Sequence, residues 1–356
     1  MFDSKRALAL VLAFGIVAMF SSACDRTITR VETVQEPANC FACHSDQNTF
    51  IVAAEEQWKN SVHASSLNID RGASSRCSGC HTSEGFVQRA NGATVTGHDN
   101  PTPIHCFTCH APHTEGDFGL RWTSVATLKD GTMYDLGAGN LCAACHQARR
   151  DPAGEIGTVG TDPFEIPEHF GPHHGNQADM LIGTNGYEFA GFNYDISRHR
   201  SLPGLEDGCV GCHFNDTSNS VVGGHSFNMK FALRTEGGDT EEIFNTAPCE
   251  DCHGDPDDPI LEDFNIGFIF PVQDSVKTLV GELEAMLVTA GLWENGHPKE
   301  GVATSVDSAG AVWNLVSVEE DRSFGVHNAR YTLGLLESSI MFLEGTLMQA
   351  RDVAEK

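Results

Sequence analysis

Basic residues are scarce in this chain: 22 Lys and Arg stand against 49 Asp and Glu, for a formal net charge of −27. A surface of that sign disfavours nucleic acid and anionic lipid headgroups, and suits cationic partners or metal ions. Only 40% of the 356 residues are hydrophobic, while glycine reaches 36, so much of any core must come from elsewhere than aliphatic side chains. The apolar run Ala7 to Phe20 has 14 residues, short of the roughly 20 that a membrane-spanning helix needs. No strict repeat recurs, which argues against a solenoid. No pair of cysteines is left over for a structural disulfide, because twelve of the 13 are used in one motif.

That motif is Cys-x-x-Cys-His, and it occurs six times. The first three copies are Cys40, Cys43 and His44; Cys77, Cys80 and His81; and Cys106, Cys109 and His110. The last three are Cys142, Cys145 and His146; Cys209, Cys212 and His213; and Cys249, Cys252 and His253. Histidine is 17 of 356 residues, so six histidines after six such cysteine pairs would arise by chance roughly once in 10⁸. Zinc sites have no use for a histidine after every pair, and a disulfide framework leaves the histidines unexplained. The pattern is that of covalent haem attachment. Two intervening residues put both sulfurs on one side of a turn, each to bond one vinyl group, and the next histidine is the proximal iron ligand. Six haem c groups are expected, and these large apolar plates are expected to form much of the core.

The remaining cysteine is Cys24. Lys5 and Arg6 precede the apolar run, and Ser21-Ser22-Ala23 follows it, as in an export signal. The stretch resembles a bacterial lipoprotein signal, in which the cysteine becomes the lipidated first residue. The alternative is an ordinary cleaved signal with an incidental cysteine. The expected organisation is a signal at 1–23, a tether at 24–39, a six-haem domain at 40–253 and a haem-free helical segment at 254–356. The motifs start 37, 29, 36, 67 and 40 residues apart, with turn-forming residues between them, so short helices are expected at the motifs and a few hairpin strands around 120–135 and 221–235. In the last segment, Val276, Leu279, Val280, Leu283 and Leu287 share one helical face, which Gly291 can close. Leu333, Leu336, Ile340, Leu343 and Leu347 make a second stripe behind the candidate N-cap Asn328. These two stripes predict a helical hairpin packed on the haem domain, with a helix-mediated homo-oligomer as the alternative.

Eleven histidines lie outside the motifs, enough to give every haem a second imidazole. His63, His113, His225, His327 and the pair His173-His174 stand in turns, beside glycine or proline, or just ahead of the last helix. The run Asp321-Arg-Ser-Phe-Gly-Val-His327-Asn-Ala-Arg-Tyr331 resembles the C-terminal region of large multihaem cytochromes related to ammonia-forming nitrite reductase and the octahaem tetrathionate and hydroxylamine enzymes. The stretches Cys80-His-Thr-Ser-Glu-Gly-Phe86 and Phe107-Thr-Cys-His-Ala-Pro-His113 resemble exported cytochromes of metal-reducing bacteria, some of which form haem filaments. The resemblance implies that His63, His113, His174, His225 and His327 are distal ligands, with His199 as the sixth and His98 next in line. Two departures argue against catalysis: no motif carries Lys in place of His, and two haems are lacking relative to the octahaem enzymes.

The expected fold is therefore mainly α with extensive coil, organised by haem, with few short strands. The expected function is electron transfer in periplasmic or extracellular respiration, from a position lipid-anchored to a bacterial membrane. Its partners would be other redox proteins, cytochromes among them, or extracellular metal acceptors, with no nucleic acid. The alternatives are a multihaem reductase of a small nitrogen or sulfur oxyanion, and a subunit of a cytochrome filament or outer-membrane conduit.

Overall fold

The computed structural model describes residues 49–354 apart from 116–117, 157–162, 202–205, 216–219, 236–237 and 254–268. The signal, Cys24, the tether and the first motif, with Cys40, Cys43 and His44, lie outside the described residues. Of Cys252 only the helical backbone is described, so its expected role as an attachment point, like that of Cys43, is not placed by the structure. The described part belongs to one compact unit, Asp46–Lys356.

Each described motif begins in a short helix, which at the fourth motif ends before Cys145 and His146. The helices are Ser75–His81, Cys106–Cys109, Gly139–Ala143, Cys209–His213 and Ala247–His253. A helical turn suits the motif, since residues three and four apart share a face. The local sequence caps these turns. Ser74 accepts from Arg76 N, and Thr82 accepts from Gly85 N to start the next helix, Ser83–Ala90. His105 caps the third motif by accepting from Phe107 N, while Thr108 Oγ1 accepts from His105 N. Gly85 lets two of these helices cross closely, because a Cβ there would collide with the carbonyl of Ser78.

Strands are few and short. The longest pair, β1 (Lys230–Arg234) and β2 (Thr240–Phe244), is antiparallel with Lys230 opposite Phe244. A two-residue pair joins Ala126–Thr127 to Met133–Tyr134. Both fall where hairpins are expected, although the partner of β1 lies just beyond the expected range.

Among the described residues, the C-terminal segment holds three helices where the stripes predict two: α1 (Ile269–Thr289), α2 (Val306–Asp321) and α3 (Ala329–Ala354). Gly291 at φ +74° follows the end of α1, and Asn328 Oδ1 accepts from Tyr331 N at the start of α3. The unexpected α2 is the most deeply placed of the three. It buries Ala309, Ala311, Val312, Trp313, Leu315 and Val318 between Val276, Leu283 and Leu287 of α1 and Leu335, Leu336 and Leu343 of α3. Ile166, Phe170, Met180, Tyr187 and Phe189 complete this core. It shows no apolar stripe because it is buried nearly all round and carries polar residues that are satisfied inside. Asn314 accepts from Tyr187 N at 2.7 Å, and donates to Tyr187 O at 2.9 Å and Ser339 Oγ at 3.0 Å. Gly310 admits the Tyr187 ring, with which a Cβ would collide. The largest apolar cluster is thus made by protein side chains in and beside the haem-free segment.

Among the described residues, no helix is long and apolar enough to cross a membrane.

Candidate haem sites

Every described motif histidine faces a second histidine from a distant part of the chain. The ring-centre separations are 6.3 Å for His81 and His173, 6.3 Å for His110 and His225, and 6.1 Å for His146 and His63. They are 6.2 Å for His213 and His327 and 6.2 Å for His253 and His199. A direct ring-to-ring hydrogen bond of about 3.0 Å would bring the centres to about 5.2 Å. Two imidazoles on opposite sides of one metal, each bound at about 2.0–2.1 Å with its centre about 1.1 Å behind the nitrogen, would stand about 6.2–6.4 Å apart. The five observed spacings match the second arrangement. Among the described residues, no three His, Cys, Asp or Glu side chains converge as a metal cage. Each facing pair thus offers two imidazoles, one of them in the same motif as two cysteines, a donor set that would fit haem c, which would supply a one-electron couple there.

The tautomers fit the same chemistry. Nδ1 of His110 donates to Phe118 O at 2.6 Å, that of His213 to Phe227 O at 2.8 Å, and that of His199 to Val326 O at 3.0 Å. A carbonyl only accepts, so each of these rings carries a proton on Nδ1 and leaves Nε2 as the nitrogen that could bind a metal. His146 Nδ1 reaches Gln177 Oε1 at 3.2 Å, and His327 Nδ1 reaches Asp321 Oδ1 at 2.6 Å. Burial holds other rings neutral, as ligation requires. It lowers His63 to about 4, helped by His146, and His173 to about 4, helped by His174 and Arg149. It also lowers His81, His146, His213, His225 and His253. For His327 burial acts downward too, but Asp321 outweighs it and the net direction is upward.

The facing rings from outside the motifs are delivered by turns. Ser61 caps the short turn Val62–Ser65 that holds His63. His225 sits in the turn Gly224–Ser226, where Gln57 Oε1 accepts from its backbone N at 3.0 Å. His173 has φ +80° and Phe227 has φ +57°, left-handed backbone that only surrounding structure can hold. Phe227 links three sites: its carbonyl orients His213, and its ring lies 5.5 Å from His63 and 6.2 Å from His225.

Cysteines of different motifs also meet. Cys80 and Cys145 are within hydrogen-bonding reach, as are Cys142 and Cys209. The helix of the fifth motif also packs against that of the sixth, with Cys212 near Cys249. The fourth motif thus adjoins the second and the fifth, and the fifth adjoins the sixth. Two arginines fill the junction of motifs two and four. Arg149 Nη2 donates to Cys80 Sγ at 2.6 Å and Cys145 O at 3.2 Å, and Arg89 Nη1 donates to Ala144 O at 2.6 Å.

No family model matches the chain. Its sequence is 24% identical to the C-type polyheme cytochrome OmcC of Geobacter sulfurreducens, over 77% of this chain and 43% of OmcC. The chain resembles a multihaem c-type cytochrome. Its fold aligns with the outer cell wall cytochrome OcwA at a TM-score of 0.48 and 22% identity, over 81% of this chain and 49% of OcwA. It spans less than half the length of either relative.

One expected ligand is displaced by a residue. His173, not His174, faces His81, while His174 is an exposed ring whose Nδ1 lies 2.5 Å from Glu320 Oε1. Both rings are exposed and adjacent in sequence, and His173, held at φ +80°, is the one that faces His81. His199, not His98, faces His253; His98 lies beside Gly72, whose carbonyl accepts from its backbone N. His113 lies exposed near Phe107, with ring centres 6.5 Å apart, and is in none of the five facing pairs. Its expected role is not assigned by these pairs, and the first motif lies outside the described residues. Sequence reasoning missed Asp321, Gln177, Phe227, Arg89 and Arg149, which orient or flank the rings and cysteines. Among these, only Asp321 and Phe227 lie within stretches that the sequence singles out.

Proposed function

We propose that this chain is an exported electron-transfer protein that holds six covalently attached haem c groups, each with two axial histidines. The observation that carries this reading is the set of five facing histidine pairs at 6.1–6.3 Å, each pairing a motif histidine with one from elsewhere in the chain. Haem supplies the one-electron couple. The chain places its attachment sites side by side, orients the axial rings and excludes water around them. The pairs proposed as ligands are His81 with His173, His110 with His225, His146 with His63, His213 with His327 and His253 with His199. In the first motif, Cys40 and Cys43 are proposed as attachment points and His44 as the proximal ligand. Cys252 is proposed to complete attachment at the sixth motif beside Cys249, and His113 to be a further distal ligand.

Two imidazoles at each site favour transfer over catalysis, since a reductase needs an open position where substrate meets iron. The polyheme relative supports the electron-transfer reading, and the net charge of −27 suits cationic redox partners or metal ions as acceptors. We further propose a cell-surface or periplasmic location with Cys24 lipidated, which Cys24→Ser would test by releasing the protein from membranes.

The deciding experiment is to mature the full chain in a host with c-haem assembly machinery. Intact mass should show six haems. Absorbance and electron paramagnetic resonance should show low-spin iron throughout, with no rapid binding of carbon monoxide. A high-spin haem that turns over nitrite, hydroxylamine or tetrathionate would replace this reading with the reductase.

A further inference from the structure

We propose that Asp321 is a potential-setting residue: through its hydrogen bond to His327 it makes the haem at the fifth motif easier to oxidise than the same site would be with a neutral acceptor. The inference rests on the reading that His213 and His327 are the axial ligands there.

Five of the facing rings have a defined acceptor at Nδ1, and four of those acceptors are neutral. His110, His213 and His199 donate to backbone carbonyls, and His146 to the side-chain oxygen of Gln177. His327 alone among these donates to a carboxylate, at 2.6 Å. Asp321 is only 2% exposed, so water does little to dilute its charge. Its second oxygen accepts from Ser323 Oγ, and Ser323 Oγ in turn accepts from the backbone N of His327 at 3.2 Å. The nearby cation Arg322 is directed to Glu320, 3.9 Å away. Asp321 is thus held in place by the same turn that carries the ring it polarises.

The physical effect has one direction. A buried carboxylate draws the Nδ1 proton toward itself and leaves more electron density on the ring. A more basic imidazole stabilises ferric iron over ferrous, and so lowers the reduction potential. The site lies between its neighbours in the chain of contacts, with Cys209 against Cys142 and Cys212 near Cys249.

The test uses the full haem-loaded protein and Asp321→Asn, which keeps the shape and the hydrogen-bond acceptor but removes the charge. In a spectroelectrochemical titration, one component should move positive by a tenfold or greater shift of its ferric/ferrous equilibrium, about 59 mV for one electron. Haem content and low-spin spectra should be unchanged, and Asp321→Glu should return the component toward its original position. If all potentials stay in place, or the component moves negative, the inference fails. If Asp321→Asn loses low-spin iron, Asp321 holds the ring rather than setting its potential, and the inference also fails. His327→Ala separates the two readings: it should open one haem to carbon monoxide, and if it does not, the ligand assignment is what fails.

Discussion

His199 Nδ1 donates to the carbonyl oxygen of Val326, 3.0 Å away, and the next residue, His327, faces His213. One turn of the C-terminal segment therefore orients the ring that faces His253 and supplies the ring that faces His213. His199 and Val326 are separated by 127 positions in the chain, so this link also braces the C-terminal helices against the part that carries the motifs.

The first prediction follows from that relationship. His199→Ala should open a single haem, seen as one high-spin signal and one equivalent of carbon monoxide bound. The double variant that combines His199→Ala with His327→Ala should open two. A double variant that binds no more than the single would show that the rings serve one site.

The neighbouring histidines at 173 and 174 give a second test. His173→Ala should produce one high-spin haem. His174→Ala should leave all spectra unchanged and alter stability by no more than about 1 kcal/mol, because its partner Glu320 is met at the surface. The reverse result would restore the assignment expected from sequence.

The third prediction concerns pH. Burial lifts the Asp179 carboxyl from 3.8 to about 7; Oδ2 accepts from Ala148 N at 2.7 Å, while Oδ1 has no hydrogen-bond partner. Below about pH 4 both folded and unfolded chains are protonated, and the group has no effect. As pH rises toward 7 the unfolded chain loses the proton first, so stability falls through that window and then levels off. Asp179→Asn stays neutral and keeps an acceptor for Ala148. It should match the parent near pH 4 and exceed it above pH 7, by an amount on the order of a few kcal/mol. Denaturant titrations at the two pH values measure this, and equal stabilities at pH 8 would contradict it.

A fourth prediction tests the buried α2. Asn314→Ala leaves both the N–H and the carbonyl of Tyr187 without their partner inside the core. The expected cost is about 2–5 kcal/mol, read as a lower denaturation midpoint. Axial spectra should persist under native conditions, since Asn314 touches no ligand. A neutral effect would mean that water replaces the amide.

What the sequence determined by itself is local. Cys-x-x-Cys-His places its three side chains within a turn and a half of helix, so attachment sites and proximal rings can be read without any fold. The stripes of α1 and α3 are legible for a similar reason: each buries one face, and a one-sided helix writes its period into the chain. What only the tertiary structure decided involves residues far apart or buried on all sides. Helix α2 has no exposed face to alternate with, so Asn314 and Ser317 read as polar when they are interior. Composition cannot choose between His173 and His174, because the choice depends on a left-handed backbone at one and on Glu320, 146 residues away, at the other. Nor can spacing reveal that Asp321 rather than a carbonyl stands behind His327, since the charge matters only once the fold has removed the water around it.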